Sequence, residues 1–413
     1  MIKNNILIIT FLVLILLVSC KTKEINELQK IVFPKTLSLN LSEAIPDSMC
    51  LSDIAERIEY IPLQTTDSSV LDNLNYYAVT RDYFFIRKEL DILIFDKNGR
   101  FLNNLFDVGR GPGEAFARCI AVDESKERVY VYDQRMGDVK IYDFNRKYIS
   151  TITKPIAPPE YWIYSLGYFN NNLFIHTTQR PLVKYLYSCF DLSNGSIRIL
   201  CKNYRDYDKS QEGKNPISPP DYHYQITDSS ILYKERFCDT LFKVNKDFLQ
   251  EPRYIIDLGS RKLDWLGWRD HGMFDIKGGP PYGYQVESFV ETQTYLFIVL
   301  TSFKEPTVFA VYNKNKNSIK LYKDNYEDKA FMQVYLKNDL DNLMSFPPMD
   351  LNTHLYYRDG CLYSAVYAKA FVKAYQSASE KTRNSSNYLR TMAPVFNKIT
   401  EFSNPIMIKV YLK

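Results

Sequence analysis

Six cationic positions recur along the 413-residue chain: Arg87 (with Lys88), Arg135, Arg180, Arg236, Lys304 and Lys369. Each follows a run of strand-forming residues and opens a turn. Guanidinium and ammonium groups brought onto one surface hold carboxylate, sulfate or phosphate, guanidinium through paired N–H donors. Lys and Arg also populate ordinary solvated turns, so the same residues read either as a ring or as plain surface. A second group, Asp264, Trp265, Trp268, Arg269 and His271, sets two indoles beside a guanidinium, and Trp162 is placed to join either group. Indole faces with a nearby cation suit a sugar ring or a peptide, and they equally suit a loop packed against its own fold.

The four histidines, His176, His223, His271 and His354, are far apart in sequence. No H-E-x-x-H run occurs, so a metal site requires the fold to gather them, and no metal or other cofactor is assigned. Local hydrogen bonding is the plainer role for each. There is no G-x-S-x-G elbow for a hydrolase, and no carboxylate pair stands out by its spacing. Gly109 to Glu114 is glycine-rich but is not followed by Lys-Ser/Thr, so it is no phosphate loop. Its Gly and Pro residues fit a tight crossing between elements.

These residues must be positioned by strands. The chain holds 33 Tyr and 25 Phe but only 15 Gly, and 46% of it is hydrophobic, enough for a substantial core. Ile92 to Asp96 (ILIFD) leads through Lys97-Asn98-Gly99-Arg100 into Phe101 to Phe106; Asn-Gly is a strong hairpin signal because both residues tolerate positive φ. Arg128 to Asp133 (RVYVYD), Asp138 to Phe144 and Tyr148 to Thr153 repeat the scheme. Apolar residues fill both parities of ILIFD, which predicts strands covered on both faces. Counting such units predicts six blades near 74–105, 117–153, 161–201, 221–258, 283–323 and 351–413. Each cation named above then falls after the second strand of a blade. The strand Arg57 to Gln64 lacks a local partner and is expected to complete the last blade, joining the chain ends and removing exposed edges. The stretch at about 369–400 lacks alternation and carries helix formers, so a helical insertion in the last blade is expected.

At the N-terminus, Lys3 precedes an apolar run from Ile6 to Val18, shorter than the roughly 20 residues that span a bilayer. It ends at Leu17-Val18-Ser19-Cys20, which resembles a bacterial lipobox with cleavage before Cys20 and lipid on its sulfur. The reading is a signal peptide over 1–20, a tether and lead-in over 21–56, and a propeller over 57–413. Six cysteines remain (Cys50, Cys119, Cys189, Cys201, Cys238 and Cys361), scattered without a C-x-x-C pair, and read as free thiols; Cys189 and Cys201 flank one hairpin. With Lys+Arg 52 against Asp+Glu 48, the net charge of +4 gives no bulk attraction to nucleic acid.

Asp96-Lys97-Asn98-Gly99-Arg100-Phe101, Gly109-Arg110-Gly111-Pro112-Gly113-Glu114, Ala121-Val122-Asp123 and Val129-Tyr130-Val131-Tyr132-Asp133 resemble an NHL-type repeat. They are closer still to six-bladed, NHL/TolB-like propeller lipoproteins of Bacteroides-like bacteria, where the same G-x-G-P-G-E loop joins the first two blades. Asn338-Asp339-Leu340-Asp341 and Asn404-Pro405-Ile406-Met407 also match that pattern, whereas Asn342-Leu343 stands where the family often has Gly-Gly. The resemblance covers nearly the whole mature chain. It implies an all-β six-bladed propeller in the cell envelope, lipid-anchored at the outer membrane, periplasmic or surface-facing. No activity comes with it. The expected role is non-catalytic binding of an anionic glycan, a peptide or an envelope protein through the cationic face. Two alternatives are a metal-assisted lyase or hydrolase on the same face, and a structural subunit of an envelope complex.

Overall fold

The computed structural model describes residues 33–71, 77–155, 163–177, 185–202, 224–235, 238–263, 283–302, 305–323, 336–344, 346, 356–378, 380, 384 and 393–413. Within them, six small sheets form a six-bladed β-propeller. From the axis outward, blade 1 is β3 (Tyr77–Val79), β4 (Tyr83–Lys88), β5 (Asp91–Asp96) and β6 (Phe101–Asn104). Blade 2 is β7 (Ala117–Asp123), β8 (Arg128–Asp133), β9 (Asp138–Asp143) and β10 (Tyr148–Ile152). Blade 3 is β11 (Ile163–Phe169), β12 (Asn172–Thr177), β13 (Tyr185–Asp191) and β14 (Ile197–Lys202). Blade 4 is β15 (Tyr224–Ile226), β16 (Ile231–Lys234), β17 (Thr240–Val244) and β18 (Gln250–Asp257), with β1 (Lys35–Ser38) added parallel to β18 as a fifth strand. Blade 5 is β19 (Gln285–Glu291), β20 (Tyr295–Thr301), β21 (Val308–Asn313) and β22 (Ser318–Lys323). Blade 6 is β23 (Tyr356–Arg358), β24 (Cys361–Val366), β25 (Ile406–Leu412) and, outermost, β2 (Ala55–Pro62).

Burial follows the position of a strand in its blade. The middle strands are sandwiched between neighbouring blades, so all four central residues of β5 and all of β16 are buried. Outer strands meet water: Tyr148, Ser150 and Ile149 of β10 are exposed. The core is accordingly a ring of wedges between blades. One joins blades 1, 2 and 3 through Phe85, Ile94, Cys119, Val131 and Ile175; another joins blades 6 and 1 through Met407, Tyr363, Tyr77 and Phe84. Each fully buried Phe or Ile in such a wedge stabilises the fold by about 1.5–3 kcal/mol relative to exposure.

The ring closes as the unpaired N-terminal strand suggests. β2 pairs antiparallel with β25 from Ala55–Leu412 to Pro62–Ile406. Two segments named for their family pattern fasten this closure. Asn404 Nδ2 donates to Gln64 O (2.8 Å) and Ser69 O (2.7 Å), and its Oδ1 accepts from Leu71 N (2.9 Å). Asn338 Nδ2 donates to Asp341 Oδ1 (2.7 Å), and the Tyr60 hydroxyl of β2 donates to Asp341 Oδ2 (3.1 Å). Asn342, where glycine is frequent in the family, holds φ of 58°, a left-handed conformation that Asn tolerates better than most residues. Gly99 of the Asn-Gly turn has φ of 82°, and a Cβ there would lie 2.1 Å from Pro62 O, so the turn lies directly on the closing strand.

The expected insertion lies between β24 and β25. It contains α1 (Ala368–Ser377), which buries Ala368 and Phe371, and the short α2 (Ala393–Phe396). Tyr375 and Phe396 stack at 3.8 Å and bind the two helices together. No helix among the described residues is long and apolar enough to cross a membrane.

Candidate functional site

The propeller has two ends. The turns joining the first and second strands of each blade lie at one end. The turns joining the second and third strands, where the sequence places its cations, lie at the other.

At the cation-bearing end, Arg87 and Arg135 both turn toward the entry of β7. Arg87 Nη1 donates to Arg118 O at 2.7 Å, and the Arg135 guanidinium stacks 4.1 Å above the Phe116 ring. Buried Asp133 sets the Arg135 turn, its Oδ1 accepting from Arg135 N (3.0 Å) and Met136 N (3.2 Å), while Lys140 Nζ lies 3.3 Å from Asp133 Oδ2. Lys140 also donates to Glu114 O, and Gly111 N donates to Glu114 Oε2 (2.6 Å). The glycine-rich loop is thus held internally as the crossing from blade 1 to blade 2. Arg118 is a third cation here, its guanidinium 5.1 Å from the Tyr164 ring of blade 3. Sequence reading missed it because it looked only after second strands, and Arg118 stands at the start of a first strand. Lys369 lies exposed in the first turn of α1. Arg180, Arg236, Lys304, Trp162, Trp265, Trp268, Arg269 and Cys20 lie outside the described residues.

His176 is buried in β12. Its ring stacks on Tyr187 at 4.8 Å, and Nδ1 lies 3.4 Å from Ser165 Oγ, so it belongs to an aromatic wedge. His223, His271 and His354 lie outside the described residues, and among those described no group of three His, Cys, Asp or Glu side chains is placed to hold a metal ion. All six cysteines after Cys20 are free thiols.

The opposite end holds a cavity of about 1030 Å3 on the propeller axis. Its lining comes from all six blades, at 78–83, 120–127, 166–171, 224–228, 289–290 and 356–359. Ile120, Leu166 and Phe289 lie beside the cavity but are buried in the wedges between blades, and the rings of Tyr224 and Tyr356 pack there too, on Phe174 (4.8 Å) and Tyr77 (5.2 Å). A Cβ at Gly167 would lie 2.1 Å from Ile226 Cδ1, so the missing side chain lets the first strands of blades 3 and 4 approach closely. Burial pushes the phenols of Tyr168, Tyr224 and Tyr356 upward, so all three stay neutral hydrogen-bonding groups near neutral pH.

The rim is polar and fixed by bonds between blades. Two of its turns and the corresponding turn of blade 5 are built alike: Thr80, Thr227 and Thr292 each use Oγ1 to accept from the backbone N–H three residues on (2.9, 3.2 and 2.9 Å). In blade 2, Asp123 does this work, its buried Oδ1 accepting from Ser125 N (3.0 Å) and Lys126 N (3.3 Å). Arg358 Nη2 of blade 6 lies 2.9 Å from Glu124 Oε2 of blade 2, and Nη1 donates to Val79 O of blade 1 (3.3 Å). Glu124 Oε1 accepts from Arg81 N (2.9 Å). Lys126 Nζ donates to Asn171 Oδ1 (2.7 Å), and Asn170 Nδ2 to Lys246 O (2.8 Å). The Gln225 amide bonds both backbone groups of Glu291 at 2.7 Å, extending blade 4 onto blade 5. None of these rim residues was legible as a group, because mixed charges on short turns read as ordinary surface until the ring closes.

A structure from Bacteroides fragilis, described as an exported protein, has the same fold: TM-score 0.63 at 15% identity, covering 92% of this chain and 100% of that one. A member of the DUF4221 family from Bacteroides vulgatus aligns with a TM-score of 0.46 at 10% identity, over 87% of this chain and 97% of that one. No curated protein matches the chain. The model of the domain of unknown function DUF4934 matches residues 36–411, from β1 through β25, and the chain belongs to that family.

Proposed function

We propose that this protein is an envelope lipoprotein, anchored through Cys20 at the outer membrane, whose propeller binds a ligand without transforming it. The observation that carries the reading is the axial cavity of about 1030 Å3, the size of a small-molecule site and lined by every blade. Its rim is braced between blades by the Arg358–Glu124 and Lys126–Asn171 contacts, so the site is preorganised. The leader ending at Cys20 and the exported protein of like fold from Bacteroides fragilis both support the location. Kinship with NHL- and TolB-like propellers belongs to the same reading.

The test is ligand screening by thermal stabilisation, using the full-length protein in detergent and an Ala78→Trp variant that fills the cavity from β3. The reading requires a ligand that stabilises the native protein and fails to stabilise the variant. Ligands that stabilise both equally would place binding elsewhere.

A second reading concerns the other end, where Arg87, Arg118 and Arg135 surround the entry of β7. No carboxylate pairs with Arg87 or Arg135 among the described residues, which suits an anionic glycan or peptide. Binding there weakens with salt and is lost in an Arg87→Ala/Arg135→Ala variant. Salt-independent binding that survives both substitutions excludes it.

A further inference from the structure

We propose that the helical insertion of blade 6 docks the propeller on an anionic membrane surface, a conclusion that rests on reading Cys20 as a lipid anchor. The first ground is charge. In the sequence, 367–403 holds six cations, Lys369, Lys373, Lys381, Arg383, Arg390 and Lys398, against Glu380 and Glu401. That excess equals the net charge of the whole chain, +4, so the rest of the protein is balanced. Lys369 and Lys373 of α1 and Lys398 after α2 are exposed, and among the described residues no carboxylate pairs with them. Lipid phosphates attract such a cluster across a Debye length.

The second ground is the apolar side chains beside these lysines. Phe402 is 84% exposed, more than any other large apolar side chain among the described residues. The turn that carries it is fixed: Ser403 N donates to Thr400 O (3.1 Å), and Thr400 N to Ser403 Oγ (2.9 Å). Val70, 39% exposed, stands between Ser69 and Leu71, which both bond Asn404 two residues beyond Phe402. Tyr367, at the start of α1, is 46% exposed. Rings among lysines suit a bilayer interface, where the rings enter the headgroup layer and the ammonium groups stay with phosphate.

The third ground is the tether, which selects a membrane over a soluble partner. Residues 21–32 separate Cys20 from Phe33, and fully extended they reach about 40 Å. The insertion joins β24 to β25, so it belongs to the same end as Arg87 and Arg135. Docked there, the protein opens its axial cavity away from the bilayer.

The test uses the full-length protein in vesicles of brominated phosphatidylcholine, alone or mixed with phosphatidylglycerol. Phe402→Trp reports on the insertion, with Tyr367→Trp in its place should it not fold. Leu249→Trp reports on the cavity end, because Leu249 is exposed in the turn joining the third and fourth strands of blade 4. Each is read against the three native tryptophans. The expected result is bromine quenching of the emission added by Phe402→Trp and none of that added by Leu249→Trp. Quenching should be stronger with phosphatidylglycerol and weaker at high salt and in Lys369→Ala/Lys373→Ala/Lys398→Ala. Quenching of Leu249→Trp, alone or together with Phe402→Trp, would overturn the proposed orientation. Quenching of neither, with the protein bound to vesicles, would overturn the docking and leave the anchor standing. Quenching equal in both vesicles and indifferent to salt would overturn the anionic preference. Protein free of vesicles, with no lipid mass on the Cys20 peptide, would overturn anchor and docking together.

Discussion

Arg358 Nη2 and Glu124 Oε2, 2.9 Å apart, tie blade 6 to blade 2 across the end of blade 1. The bond spans an innermost strand of only three residues, Tyr77–Val79, whose last carbonyl Arg358 also holds. Adjacent blades are already fastened by their wedges; this pair reaches past a neighbour and fixes the width of the cavity mouth. Glu124→Gln and Arg358→Gln are each expected to lower stability by about 1 kcal/mol in chemical denaturation. The double variant should lose less than the two singles together. Full additivity would mean the pair is not coupled.

Asn404 fastens the closure from the last strand's approach. Its side chain makes three hydrogen bonds to the segment after β2, and it is 1% exposed, so water cannot replace them. Asn404→Ala is expected to cost about 3 kcal/mol, because buried partners are left unsatisfied. Urea denaturation measures this directly, and a loss below about 0.5 kcal/mol would show that closure does not rely on it.

Glu291 gathers three neighbours: the Tyr254 hydroxyl (2.6 Å), Arg253 Nη2 (3.1 Å) and Lys314 Nζ (3.3 Å). Burial alone raises its carboxyl, but Lys314, Arg253 and the tyrosine outweigh it and hold the group below the usual range. A depressed folded value gives stability that is complete above the unfolded value, near 4.5, and lost as pH falls through the folded one. Glu291→Gln should cost about 3 kcal/mol at pH 7 and lack that acid-dependent loss. A variant tracking wild type in parallel down to pH 3 would contradict this.

Asp91 has the opposite sign. Burial raises its carboxyl to about 6, against the opposing hydrogen bond from Ile92 N. A raised folded value gives stability that is present below the unfolded value, near 3.8, and lost as pH rises through about 6. Asp91→Asn should match wild type near pH 4 and exceed it above pH 7 by on the order of 1 kcal/mol, after allowing for solvent screening. A constant offset at every pH would assign the effect instead to the hydrogen bond that Asn104 Nδ2 donates to Asp91 Oδ2 (2.7 Å).

The six blades were readable because local signals and global burial agree. Asn98-Gly99 marks a hairpin, and runs such as Ile92–Phe95 are apolar in both parities because neighbouring blades cover both faces. Arg57 to Gln64 announced closure by having no local partner. The cavity was not readable. Its residues belong to turns whose shared device, a threonine capping the third residue on, is chemically quiet in sequence. Glu124 and Arg358 become neighbours only when the ring closes. Attention to charge favoured the other end, where Arg87 and Arg135 do turn toward one strand, but where Arg118 carried no positional signal.

The most direct measurement is amide hydrogen exchange of the full-length protein with and without a stabilising ligand from the screen. Added protection is expected at 78–83, 120–127, 166–171, 224–228 and 356–359, the segments that converge on the cavity. Protection confined to 87–91 and 134–137, with those segments unchanged, would contradict the assignment and move the ligand to the arginine end.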